Sequence, residues 1–400
     1  MDTKSDSMKI EEKLNKKRVS RRTFLYGAAA AGVMAVQGRL NAHGAQLPPV
    51  HAVTAGTKHA TTPIIDVHRH CMWKPGSSED KVMEKFFKMK THWQNLPTGD
   101  TLTVDGITSI VYPELSDIDV QVQKQDEAGV TLGILSFSME LELLCRELSL
   151  APDDLLTRMV NDKTAALAAK YPGKLAFMAM VNPATEGATA ECERCLNKLG
   201  AKGINLSTSW QGEYLDSEKI NPFWKYVEHK DVAVYLHPPF IPLGYQKMDC
   251  YRLEEVVGRP FDTTMTIARM IYSGVFDWYP KLKIVLPHMG GGLPGVIGRL
   301  DFGYRLGYGG LPQGQAAICK RKPSDYLRTN LYVDTMGFSP AGIRHCIELF
   351  GIDRILFGTD YAAVNISPRE HIDIVKGLGL SKQAEAKIFF ENANHLFRLL

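Results

Sequence analysis

Ile64-Ile65-Asp66-Val67-His68-Arg69-His70 is a short β-branched run that ends in two histidines two residues apart. In an extended chain residues i and i+2 face the same way, so both imidazoles converge on one point. The strand at 64–68 is the first of eight such runs, the others at 131–137, 175–181, 203–207, 232–237, 283–288, 331–335 and 354–359. Segments with helical spacing and helix-end residues lie between them. These are 117–128, closed by Gly129, and 152–170, with Pro152 in a first turn, then 221–229, 263–278, 340–350, 368–376 and 381–400. Eight strands alternating with helices is the count of a closed parallel ring, whereas open doubly wound sheets usually have fewer. The predicted fold is α/β, a (β/α)8 TIM barrel in one domain over 63–400.

Metal-type side chains fall at matching ends of those strands. His68 and His70 close the first, His237 is the last residue of the fifth, His288 ends the sixth, and Asp360 directly follows the eighth. In a barrel all of these lie on the C-terminal rim, where active sites of this architecture form. A lone strand-end histidine is most often a hydrogen-bonded core residue; a matched set at four strand ends is not explained that way. His68, His70, His237 and Asp360 supply the nitrogen and oxygen donors of a site for one divalent ion, Zn2+ by preference and Mn2+ as the other candidate. The histidines at 43, 51, 59, 92, 229, 345, 371 and 395 have no such placement and read as solvent-facing or packing residues. Gly290-Gly291-Gly292 comes just after His288; it reads as a backbone approach to a bound group, as a tight loop needing positive φ, or as both together.

The 400-residue chain is 44% hydrophobic and 23% charged, the proportions of an ordinary soluble protein, with a formal net charge of +3. No basic tract occurs beyond the first 22 residues, which argues against nucleic acid as a partner. Seven cysteines imply no dense disulfide framework. Cys192 and Cys195 form a C-x-x-C inside a helical stretch, 188–199, with no second pair at zinc spacing. They read as two thiols on neighbouring turns.

The N-terminus reads as an address. A basic stretch ends in Ser20-Arg21-Arg22-Thr23-Phe24-Leu25, an apolar run reaches Val36, and small residues follow at Ala42-His43-Gly44-Ala45. That is the order of a secretory signal, and the paired arginines resemble a twin-arginine export signal. The apolar run is too short to span a bilayer core of roughly 30 Å. Residues 1–45 are therefore expected to be a signal peptide and 46–62 a linker, with periplasmic or other export ahead of a cytoplasmic protein with a basic tail. The long stretch 71–112, with Trp73, His92 and Trp93, reads as a lid or pocket wall, or as a plain surface excursion.

The motifs together resemble the amidohydrolase 2 branch of the amidohydrolase superfamily, over roughly 63–400. They are Ile65-Asp66-Val67-His68-Arg69-His70, Gly200-Ala201-Lys202-Gly203-Ile204-Asn205-Leu206, Leu236-His237-Pro238-Pro239, Pro287-His288-Met289-Gly290-Gly291-Gly292, Arg299-Leu300-Asp301, Ile355-Leu356-Phe357-Gly358-Thr359-Asp360 and Asn392-Ala393-Asn394. The resemblance implies His68, His70, His237 and Asp360 as ligands of one metal ion, and His288 as the acid/base or orienting histidine beside it. The His-x-His pair leans toward the aminocarboxymuconate-semialdehyde decarboxylase type, since several aromatic decarboxylases of the branch carry Glu-x-His. In some dimeric members an arginine matching Arg299 reaches the neighbouring site and holds a substrate carboxylate, so a homodimer is a further expectation.

A divalent ion polarises a coordinated oxygen and lowers the pKa of bound water toward about 7. That serves non-oxidative decarboxylation of a small aromatic or unsaturated carboxylic acid, with His288 or Asp360 handling the proton that replaces CO2. It serves equally the hydrolysis of a lactone or amide. The resemblance favours the decarboxylase. A barrel that binds a ligand without catalysing is the reading from another class, and an intact ligand set argues against it.

Overall fold

The strand interiors carry Val, Ile, Leu, Met and Phe on both faces, as a parallel sheet covered on both sides requires. The computed structural model describes residues 62–72, 100–104, 107–137, 154–210, 212–242, 244–248, 250–307 and 316–399. The expected signal segment, all but the last residue of the linker, Trp73, His92, Trp93 and Pro152 lie outside these residues.

The ring is β1 (Ile65–Cys71), β2 (Leu132–Phe137), β3 (Leu175–Met180), β4 (Gly203–Ser207), β5 (Val234–His237), β6 (Ile284–Leu286), β7 (Leu331–Asp334) and β8 (Ile355–Leu356), hydrogen-bonded in that order and parallel. Closure comes from β8 and the residues after it pairing with β1. The Val67 N–H donates to Phe357 O at 3.0 Å, and the Asp360 N–H to His68 O at 2.8 Å. This is the predicted (β/α)8 barrel. Its interior is filled by Ile65, Val67, Ile134, Met178, Tyr235, Val285 and Leu356, with Leu396 and Phe397 packed into the same cluster. Ile204, Leu206, Val234, Leu236, Ile284, Leu286 and Val333 form the outer layer against the helices.

β1 departs from simple alternation. Asp66 pairs with Gly133 and Arg69 with Leu135, so β1 spends one residue more than β2 between these points, a β-bulge. The extra residue changes the phase of the strand. Ile65 and Val67 fill the barrel interior, and beyond the bulge His68 and His70 turn inward while Arg69 packs outward against α1 (Ile118–Ala128). The Asp66 carboxylate fastens the irregular turn by accepting from the backbone N–H groups of His68 and Thr359 and from the Thr359 hydroxyl.

The helices follow their capping residues. After α1 come α2 (Asp154–Lys170), α3 (Ala188–Arg194) and α4 (Asn221–Lys230). The stretch expected as one helix over 263–278 is two: α5 (Arg259–Tyr272) begins earlier, with Pro260 in its first turn, and Gly274 at φ 77° separates it from Val275–Trp278. α6 (Leu293–Leu306) was not anticipated as a full helix; its apolar residues are diluted by four glycines around the start. α7 (Pro340–Phe350) and α8 (Pro368–Lys376) match expectation and are capped by Ser339 and Ser367. The terminal stretch expected as a helix over 381–400 is helical without a break over 382–397, with a π-helical turn at Lys387–Glu391 leading into α9 (Asn392–Phe397). Antiparallel pairing of Asp100–Val104 with Ile107–Val111 occupies part of the long stretch after β1. Cys192 and Cys195 are buried free thiols on neighbouring turns, and burial pushes both thiols up, which leaves them inert. No helix among the described residues is long and apolar enough to cross a membrane.

Candidate metal centre and active site

The bulge in β1 and the pairing of the residues after β8 with β1 bring His68, His70 and Asp360 together, and His237 ends β5 at the same rim. His68, His70, His237 and Asp360 are buried, and their ligand atoms all lie within 4.8 Å of one another. His68 Nε2 is 3.2 Å from His70 Nε2, and Asp360 Oδ1 is 3.3 Å and 3.0 Å from the two. Donors about 2.1 Å from a tetrahedral ion stand about 3.4 Å apart, so this spacing fits one. His237 Nε2 and Asp360 Oδ1 are buried with no hydrogen-bond partner of their own. Such orphaned atoms are costly unless a cation or proton joins them. The residues therefore fit a divalent metal, and a metal-binding site is present here.

Each imidazole is oriented by its other nitrogen. His68 Nδ1 donates to Asp334 Oδ2 at 2.7 Å, and His237 Nδ1 to the Pro238 carbonyl at 3.0 Å. His70 Nδ1 lies 3.3 Å from Ser136 Oγ, whose hydroxyl also reaches Arg69 O. These contacts leave the Nε2 lone pairs for the ion, the outer support that metal-ligating histidines require. Burial holds His70 below its usual range, and burial with the neighbouring imidazoles holds His237 well below it, so both are neutral. Burial alone would lower His68 too, but Asp360 and Asp334 override it and raise it to about 10, a preference for positive charge that an ion at Nε2 would satisfy in place of the proton. Burial opposes ionisation of Asp360, yet His68, His288 and His70 outweigh it and keep its pKa well below the ordinary carboxylate range.

His288 does not end a strand as expected. β6 stops at Leu286, and His288 sits two residues on in a turn, at φ 54°. Met289 (φ 55°), Gly290 (φ 79°) and Gly291 (φ 63°) continue the left-handed course. That backbone swings the His288 ring to the rim, with Nε2 3.4 Å from Asp360 Oδ2. Its side chain is the most open of the five, at 14% exposure, so the approach to the cluster runs past it. The glycine loop makes the tight turn expected of it: a Cβ on Gly291 would stand 2.2 Å from Pro260 O, and the Gly292 N–H donates to Thr264 Oγ1. Arg299 is exposed on α6 and does not join the cluster.

Asp334, Tyr235 and Ser136 support the site and were missed from sequence. Each is a polar residue on the inward face near the end of a barrel strand, a position that gains its meaning only from the partner it meets in the fold. His371 was read as a packing or solvent residue; it packs, buried in α8 against the Phe338 ring at 4.9 Å.

The profile of the amidohydrolase family matches residues 65–399. The chain belongs to the amidohydrolase family. Among this amidohydrolase's relatives is the gamma-resorcylate decarboxylase of Rhizobium sp. strain MTP-10005, 32% identical over 292 residues, which are 70% of this chain and 87% of that one. The 2-amino-3-carboxymuconate-6-semialdehyde decarboxylase of Dictyostelium discoideum is 28% identical over 247 residues, 61% of this chain and 66% of that one. A solved dihydroxybenzoic acid decarboxylase from Polaromonas sp. JS666, with bound manganese and the inhibitor 2-nitroresorcinol, superimposes with a TM-score of 0.65 at 28% identity, covering 85% of this amidohydrolase and 98% of that chain.

Proposed function

We propose that this amidohydrolase is a metal-dependent, non-oxidative decarboxylase of a small hydroxylated aromatic carboxylic acid. The observation that carries the reading is the combination of the donor cluster with the adjoining His288–Asp360 pair, in a chain about one-third identical to a gamma-resorcylate decarboxylase across 87% of that enzyme. His68, His70, His237 and Asp360 would hold the ion. Bound there, it supplies an electrophile that binds and polarises substrate oxygens. The His288–Asp360 pair keeps a proton at the rim. As the carbon–carboxyl bond breaks and CO2 leaves, its electron pair stays on the ring carbon, which takes that proton.

Three imidazoles and a carboxylate suit Zn2+ or Mn2+; the manganese in the Polaromonas relative supports Mn2+ for this site. The His-x-His pair supports the aminocarboxymuconate-semialdehyde type, and the greater identity to the resorcylate enzyme supports an aromatic acid. The test is CO2 release from 2,6-dihydroxybenzoate and related ortho-hydroxy acids, run beside unsaturated dicarboxylates and a lactone panel, with elemental analysis of the same preparation. Ring opening of a lactone without CO2 from any acid would overturn the decarboxylase in favour of the hydrolase.

Two copies are further proposed to associate through the outer faces of α5 and α6. Phe261, Met265, Phe302 and Leu306 expose apolar surface there, and Arg299 lies on the same face of α6, free to reach a partner's substrate carboxylate. Sedimentation of wild type and Phe302→Glu checks it: a monomeric wild type removes the idea. Export by the twin-arginine route, with cleavage near residue 45 and a linker before a barrel domain at 63–400, is supported by Arg21-Arg22 and the short apolar run. An intact N-terminus on protein recovered from the periplasm would count against cleavage.

A further inference from the structure

Asp334 is the last residue of β7, separated from β1 by β8, and its carboxylate is buried. Its Oδ2 accepts from His68 Nδ1 and from the Tyr235 hydroxyl, each at 2.7 Å. Its Oδ1 accepts from the backbone N–H groups of Met336 at 3.2 Å and Met289 at 3.3 Å. Met289 directly follows His288, so one carboxylate holds a metal-type imidazole with one oxygen and the His288 turn with the other. Reaching from β7 to β1 requires passing over the end of β8, where Gly358 stands. A Cβ there would lie 2.9 Å from the Cβ of Asp334 and 2.9 Å from that of His68. Only hydrogen at this position lets the two side chains meet.

We propose that Asp334 is a positioning residue that fixes His68 as an Nε2 donor and ties it to the turn carrying His288, through a gap that Gly358 keeps open. The proposal rests on the reading of the four-donor cluster as a metal centre. An imidazole free to rotate would point Nδ1 and Nε2 into the cluster in turn; the bond to Oδ2 selects one tautomer and one ring orientation before any ion arrives. The cost of ordering the ligand is met in folding, so the ion binds a prepared site. Tyr235, donating to the same oxygen from the barrel interior, restrains the carboxylate itself.

The experiment titrates chelator-stripped wild type, Asp334→Ala and Gly358→Ala with Mn2+ and, separately, Zn2+, with unfolding of the stripped proteins followed alongside. Loss of an outer partner of a ligating histidine typically weakens metal binding about tenfold to a hundredfold, and that is expected of Asp334→Ala. Gly358→Ala, which wedges the pair apart, should weaken binding in the same direction. A role in stability alone would lower the unfolding temperature and leave the metal Kd unchanged, and that result overturns the proposal. Wild type that binds neither ion instead overturns the metal centre itself. Should Asp334→Ala not fold, nitrogen NMR of histidine-labelled, Zn2+-loaded wild type and Tyr235→Phe decides. A slowly exchanging Nδ1 proton on His68, shifted in Tyr235→Phe, is expected; an unprotonated His68 Nδ1 overturns it.

Discussion

His288 and Asp360 meet at the barrel mouth, Nε2 3.4 Å from Oδ2, and both hold left-handed backbones, at φ 54° and 61°. For non-glycine residues such a backbone costs on the order of 1–3 kcal/mol and persists only where the surroundings enforce it. Here it aims side chains from the ends of β6 and β8 at one point beside the donors.

His288→Asn separates this pair's chemistry from the metal. The decarboxylation rate constant should fall about a hundredfold to ten-thousandfold, the usual contribution of a positioned acid/base group, with metal content unchanged. Asp360→Asn should lose both. Rate measurement with elemental analysis on the same samples checks it, and an undiminished His288→Asn contradicts the assigned role.

His237→Ala removes a donor whose Nε2 has no other partner. One equivalent of metal in wild type and a substoichiometric amount in the variant after dialysis are the expected outcomes. Equal metal in both would place the ion elsewhere.

Gly291→Ala should destabilise the fold by at least about 2 kcal/mol, since a left-handed backbone alone costs an alanine roughly 1–2 kcal/mol. To this is added the clash of its Cβ with Pro260 O at 2.2 Å. Urea unfolding checks the stability. Because the same turn carries His288, residual activity should fall more than the folded fraction does.

Burial lowers His371 to about 4, well under the ordinary histidine value near 6.5. A base with a depressed folded pKa binds its proton more readily when unfolded. The stability it leaves intact above about pH 6.5 is therefore lost as pH falls toward 4, by on the order of 3 kcal/mol in full. Urea midpoints of wild type and His371→Gln between pH 7 and pH 4.5 should converge as the pH falls. Parallel curves would show that this imidazole titrates freely.

Much of this was legible in one dimension. The eight strand positions, the helices at 340–350 and 368–376, and the donors His68, His70, His237 and Asp360 follow from β-branched runs, capping residues and the placement of polar side chains at strand ends. The single helix expected over 263–278 failed because Gly274 reads as tolerable by spacing, whereas its left-handed backbone stops α5 at Tyr272. Asp334 went unnoticed because an acid at the end of one strand has no meaning until its partner, 266 residues away on β1, is beside it.

The sequence by itself determined the periodicity, and with it the ring and the rim on which the donors fall. Local side-chain chemistry and the two-residue repeat of a strand are properties of neighbouring residues, so they survive being written as a string. The tertiary structure alone decided the bulge that turns His68 and His70 inward after Val67, and the left-handed turn that carries His288 past the end of β6. It also decided the passage over Gly358 that joins Asp334 to His68. Each depends on which strand lies alongside which, and strand pairing is set by packing between residues far apart in the chain.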